Sequence, residues 1–122
     1  MIVYEVNIEI REPVFAEYRA WLAAHAEEIL ALPGFLAAEI FEVRAPQPAI
    51  GTRTLSVHYR LVDEASLQRY LDEHAPRLRE DGLRRFGDAA TATRRVLAPA
   101  DGWPHATAAT SSRRAADNDA VR

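Results

Sequence analysis

Apolar and polar residues alternate from Ile2 to Ile10: Ile2, Tyr4, Val6, Ile8 and Ile10 fall on one side of a strand, and Val3, Glu5, Asn7 and Glu9 on the other. That period of two predicts a strand with one buried face and one mostly polar face. After it, Pro13 suits a first helical turn, where its missing N–H costs nothing. Phe15, Tyr18, Leu22, His25, Ile29 and Leu32 then recur at spacings of three and four, the stripe of a long amphipathic helix, and Pro33 with Gly34 stops it.

Phe35 to Val43 is apolar on both faces and predicts a second strand, broken by a hairpin loop from Ala45 to Gly51 that holds Pro46 and Pro48. A third strand, Arg53 to Leu61, separates Leu55, Val57, Tyr59 and Leu61 from Thr54, Ser56, His58 and Arg60. Asp63 is a good N-cap for a helix whose stripe is Leu67, Tyr70, Leu71 and His74, and Pro76 kinks or restarts it through Leu78 and Phe86. Gly87 closes it, and a last strand runs from about Thr91 to Leu97. One domain is expected over residues 1–97, with residues 98–122 as a disordered tail, because alanine, serine, threonine and unpatterned charge offer nothing to pack.

Strand, helix, hairpin, helix, strand is the ferredoxin-like β-α-β-β-α-β order of the α+β class, with both helices on one face of a four-stranded antiparallel sheet. Strand order four, one, three, two is expected. On the other face the first strand sets Glu5, Asn7 and Glu9 beside Ser56, His58 and Arg60, with Glu–Arg and Glu–His pairs available across the ladder. Two copies packed through that face as a dimeric α+β barrel would cover it and enclose a partly polar cavity; a wetted sheet is the plainer arrangement.

Composition narrows the chemistry. No cysteine is present among the 122 residues, which removes disulfides, thiolate nucleophiles and cysteine-ligated metals. A net charge of −3 argues against nucleic acid as a partner. The arginine doublets Arg84–Arg85 and Arg94–Arg95 read as solvated surface. Neither a secretory leader nor a bilayer-spanning run is visible, so a cytoplasmic location without membrane association is expected.

Several fragments in order along the domain carry a resemblance: Met1-Ile2-Val3-Tyr4 with Val6, Trp21 and His25, Gly34-Phe35, His58-Tyr59, Ala75-Pro76-Arg77-Leu78, Phe86-Gly87 and Thr93-Arg94. Together the chain resembles a bacterial family of small proteins catalogued as a domain of unknown function and placed among the dimeric α+β barrels. That resemblance implies the fold and a homodimer but no activity. Across the wider superfamily the cavity hosts cofactor-independent oxygenases, polyketide cyclases, isomerases, haem-handling enzymes and plain ligand binders.

His25, in the apolar stripe one turn after Trp21, is the first candidate for a catalytic base, since burial in an apolar wall lowers an imidazole's pKa. A satisfied core histidine is the alternative. Trp21 would supply an aromatic wall or plain packing. His58 is the second catalytic candidate, facing Glu5, Asn7, Glu9 and Arg60, where a carboxylate would fix its tautomer; a dimer salt bridge would use the same residues. Glu39, in an otherwise apolar strand, either faces the cavity or lies at a wet edge. The ligand-binding set is therefore Trp21, Asn7, Glu5, Glu39 and Arg60, with Tyr4 and Tyr59 in the core. Haem-degrading members of the superfamily use an asparagine on the first strand, a tryptophan on the third and a histidine on the second helix. Asn7 and His74 invite that comparison, but the third strand has no tryptophan. Histidine and acid spacings suit no metal site, and glycine-rich phosphate loops and a G-x-S-x-G elbow are absent from the sequence. The expectation is a homodimer binding a small organic molecule between the first helix and the sheet without a cofactor. It would either catalyse proton transfer, cyclisation or oxygenation, or serve as a noncatalytic binding or assembly module.

Overall fold

The computed structural model describes residues 1–101; of the tail expected after Leu97, only residues 98–101 fall within it. Strand β1 (Ile2–Arg11) leads through a 3-10 turn (Glu12–Val14) into helix α1 (Phe15–Leu30). Strands β2 (Phe35–Glu42) and β3 (Thr52–Leu61) form the hairpin. Helices α2 (Glu64–Glu73) and α3 (Ala75–Phe86), a second 3-10 turn (Gly87–Ala89) and strand β4 (Ala90–Leu97) complete the domain. The sheet runs β2-β3-β1-β4 and every pairing is antiparallel, the ferredoxin-like α+β arrangement expected from the sequence.

The core lies between the helices and one sheet face. Ile8, Ile10, Val57 and Leu61 from the central strands meet Ile29 of α1, all five essentially without exposed surface. Phe15, Tyr18, Leu22, Ala26 and Ile29 form the buried stripe of α1, so the spacing read from the sequence is the one that packs. An aromatic layer of Tyr4, Phe35, Tyr59 and Tyr70 fills the space beneath α2, in tilted and edge-to-face pairs 5.3–6.0 Å apart.

Boundaries moved where local chemistry was weaker than the pattern. The α-helix begins at Phe15 rather than at Pro13, because the Arg11 side chain makes no cap hydrogen bond and the first turn tightens to 3-10 geometry. At the other end α1 stops at Leu30, short of Leu32, where Pro33 disfavours helical backbone in the residue before it. Strand β2 carries a bulge between Phe35 and Ala37, leaving Leu36 exposed on this edge strand. The second helix breaks at His74, whose backbone φ of −125° ends α2 and begins α3, with Pro76 in the first turn of α3.

Gly34 is the position where only glycine serves. Its φ of +89° is left-handed, and a Cβ there would run into the side chain of Ser66 in the first turn of α2. That turn is fixed by Asp63, whose carboxylate accepts the Ser66 N–H at 2.9 Å. The α1–β2 connection and the start of α2 thus press together through a missing side chain.

Candidate functional site

A cavity of about 710 Å³ opens between α1, α3 and the β1–β4 half of the sheet. Its floor is Val6, Ile8 and Val57, its α1 wall is Tyr18, Trp21 and His25, and β4 contributes Ala92 and Arg94. The small residues Ala90 and Ala92 on β4 leave the room that larger strand residues would fill.

Helical spacing stacks Trp21 on His25, one turn apart, with ring centroids 4.5 Å apart and planes 20° from parallel. The indole N–H is donated to Asp81 Oδ2 of α3 at 2.9 Å, which pins the ring at the helix–helix seam. Gly82 makes that position possible, because a Cβ there would lie 2.8 Å from Trp21 Cη2. His25 is half-buried, and burial pushes its imidazole below the ordinary value of 6.5, against the opposing pull of Glu28 and Asp81. The neutral ring is a base at physiological pH.

Three tyrosines complete the wall. Burial pushes Tyr18 and Tyr70 up to about 12 and Tyr59 further still, so all three stay as neutral phenols. Among the described residues no side chain or backbone group hydrogen-bonds the hydroxyls of Tyr18, Tyr59 or Tyr70, although each residue is under 9% exposed. The Tyr4 hydroxyl, by contrast, accepts a hydrogen bond from Arg79 Nη2 at 2.9 Å.

The other candidates gather on the opposite sheet face. Strand pairing aligns Glu39, His58, Glu5 and Arg95 in one row across all four strands. Arg95 grips Glu5 with two hydrogen bonds, 3.0 and 3.1 Å, while Asn7 donates a third at 2.6 Å. His58 Nε2 stands 3.9 Å from the same carboxylate. The Asn7 bond first, then Arg95 and His58, hold Glu5 below the usual carboxylate range despite its burial. Glu39 lies at the wet edge beside Arg60, 3.3 Å away, and not in the cavity.

Of the residues singled out from sequence, Trp21 and His25 meet at the cavity; Glu5, Asn7, Glu39, His58 and Arg60 meet each other on the far side of the sheet. One protomer cannot bring both groups to a single ligand. Sequence reasoning passed over Asp81, Gly82 and Arg79, and it read Arg94 as solvated surface, whereas it lines the cavity. The alternation of β4 held a signal for Arg94: neighbours in a strand face opposite ways, so the Arg94–Arg95 doublet divides between cavity and open face instead of lying together in solvent. Asp81 and Gly82 carried none, because their role depends on where Trp21 arrives from another helix.

The haem comparison finds no support in the arrangement. Asn7 faces away from the cavity, and His74 sits at the α2–α3 break outside its lining. No group of three or more metal-ligating side chains exists among the described residues. Nor is any helix among them long and apolar enough to cross a membrane.

Comparison with solved structures returns proteins of the same fold. A putative antibiotic biosynthesis monooxygenase from Deinococcus radiodurans superposes with a TM-score of 0.67 at 14% identity, covering 88% of this chain and 100% of that one. A variant of SnoaB, a cofactor-independent oxygenase from Streptomyces nogalater, gives 0.61 at 17% identity, covering 85% and 98%. An MhuD variant with two manganese protoporphyrin IX groups bound per active site gives 0.57 at 19%, covering 80% and 93%. At these identities the likeness is one of fold. No curated protein matches the sequence. Residues 1–100 match the family model described as Domain of unknown function (DUF4286), and the chain belongs to that family.

Proposed function

We propose that this protein is a homodimeric α+β barrel that binds a small, largely apolar organic molecule between α1 and the sheet, with His25 as a cofactor-free general base. One observation carries the reading: an open cavity of about 710 Å³ is lined by a neutral, half-buried imidazole stacked on Trp21 and by buried tyrosines whose hydroxyls have no partner among the described residues. A packed core leaves no such space and no such hydroxyls. An imidazole held neutral in an apolar wall accepts a proton from an acidic C–H or phenol. The resulting carbanion or phenolate is the shared starting point for isomerisation, for ring closure, and for oxygenation in which dioxygen is the oxidant. The fold shared with a cofactor-independent oxygenase is consistent with this chemistry and does not select among the three.

The open sheet face supports the homodimer. Phe41 is 48% exposed there, and Leu97 and Val3 flank the Glu39–His58–Glu5–Arg95 row, a mixture suited to a self-complementary seam. On this reading Glu5, Asn7, His58, Arg60 and Glu39 serve assembly and His25 with Trp21 serves the ligand. Native mass spectrometry of protein purified without added ligand tests both parts. A dimer retaining added mass supports the reading, and a bare monomer overturns the barrel. If turnover is found, His25→Ala should abolish it while leaving ligand mass in place; a noncatalytic binding module would show retained ligand and no turnover in either protein.

A further inference from the structure

Six arginines of the described domain are committed to carboxylates: Arg53, Arg60, Arg77, Arg84, Arg85 and Arg95. The two that line the cavity, Arg79 and Arg94, form no ion pair among the described residues. Arg94 of β4 pairs with Val6 of β1, and Arg79 donates to the hydroxyl of Tyr4, the preceding residue on the same face of that strand. Glu80 and Asp88 line the cavity as well, but Asp88 adjoins the far end of β4, where Ala90 pairs with Ile10. With Glu80 next to Arg79 in sequence, the Tyr4–Val6 end carries two guanidiniums against one carboxylate, a net positive charge.

The rest of the wall at that end is apolar or phenolic. Tyr59, 2% exposed, and Tyr70, 4% exposed, line the same space, and neither hydroxyl has a hydrogen-bond partner among the described residues. These are neutral donors beside two guanidiniums that form no ion pair among the described residues. Burial raises the pKa of Tyr18, Tyr59 and Tyr70, and the charge of Arg94 opposes the rise in all three, so its field reaches across the cavity.

Taking the binding reading above as given, we infer that the ligand is a planar, mostly apolar molecule bearing one anionic oxygen group, a carboxylate or an enolate. Arg94 and Arg79 hold that group at the Tyr4–Val6 end, and the Trp21–His25 stack lines the apolar body. Guanidinium matches a two-oxygen anion with paired N–H donors, and tyrosine hydroxyls supply the remaining hydrogen bonds. The same pair would stabilise negative charge left on a carbonyl oxygen after His25 removes a neighbouring proton.

Isothermal titration of the full chain with naphthoate and with naphthamide tests this, since the two probes share a ring system and differ in charge. Naphthoate should bind about tenfold more tightly, as a charge-assisted hydrogen bond in a partly buried site provides. Arg94→Gln should abolish most of that preference by weakening naphthoate much more than naphthamide. Arg94 is exposed and unpaired in the described structure, so the variant keeps its fold, which a thermal melt checks. Arg69→Gln, on α2 and outside the cavity, should keep the preference and so excludes a general effect of net charge. Equal affinity for the two probes, unaltered by Arg94→Gln, overturns the anion assignment while the cavity reading stands. Binding of neither probe overturns both.

Discussion

Trp21 is held by two neighbours at once: its ring lies 4.5 Å from the His25 imidazole, and its N–H is donated to Asp81 at 2.9 Å on the facing helix. The hydrogen bond sets the indole, and the indole sets the wall against which the imidazole rests. Trp21→Phe keeps an aromatic wall but leaves Asp81 without this donor, so the thermal midpoint should fall by a few degrees. Gly82→Ala presses on the indole edge and should destabilise the native sequence more than it destabilises the Trp21→Phe variant. A double-mutant cycle read by thermal melts checks that coupling, and additive effects would contradict the seam described here.

His25 gives acid sensitivity of a particular sign. Burial keeps its folded pKa below the unfolded 6.5, so the folded chain binds this proton more weakly. Its penalty is absent above pH 6.5 and grows as pH falls through 6.5 toward the lower folded value. Wild-type stability should drop more than that of His25→Gln between about pH 7.5 and about pH 5.5, measured by urea midpoints. Equal drops would place His25 in water.

Glu5 adds acid sensitivity of the same sign in a lower pH window. Its folded pKa is lowered, so the stability it contributes is fully present above the unfolded value of 4.5 and is lost as pH falls through the folded one. Glu5→Ala leaves Arg95 and Asn7 facing each other without their acceptor and should cost about 1–3 kcal/mol in denaturant unfolding. Because the row faces the proposed seam, the variant should also weaken the dimer in sedimentation velocity, with ligand affinity in the cavity unchanged.

Tyr59→Phe separates packing from binding. With no partner for its hydroxyl among the described residues, removal should change stability by less than about 0.5 kcal/mol. Naphthoate affinity should fall nonetheless. Gly34→Ala is the opposite extreme: a left-handed φ and a collision with Ser66 together should cost more than about 3 kcal/mol, visible as loss of the cooperative unfolding transition.

How much was legible in the chain follows from which interactions are local. Alternation in β1 and β3 named both sheet faces, and the three-and-four spacing of α1 put His25 one turn beyond Trp21. Those are properties of neighbours in sequence. The division of the candidates between two faces was also present in the alternation, but Glu5 and His58 invited grouping with His25 because all carry chemistry. The pairing of Arg95 with Glu5 spans 90 residues and that of Trp21 with Asp81 spans 60, and neither has a local signature. Space is likewise invisible: the cavity exists because α3 meets α1 through Gly82 and β4 offers alanines, a fact of packing between distant segments.

The most direct measurement is side-chain NMR of the labelled protein titrated with naphthoate, following the Trp21 indole and the rings of His25 and His58. The expected result is that Trp21 and His25 shift together along one saturable curve while His58 stays in place. Movement of His58 with His25 and Trp21 unmoved would put the ligand on the open sheet face and contradict the assignment of the cavity as the binding site.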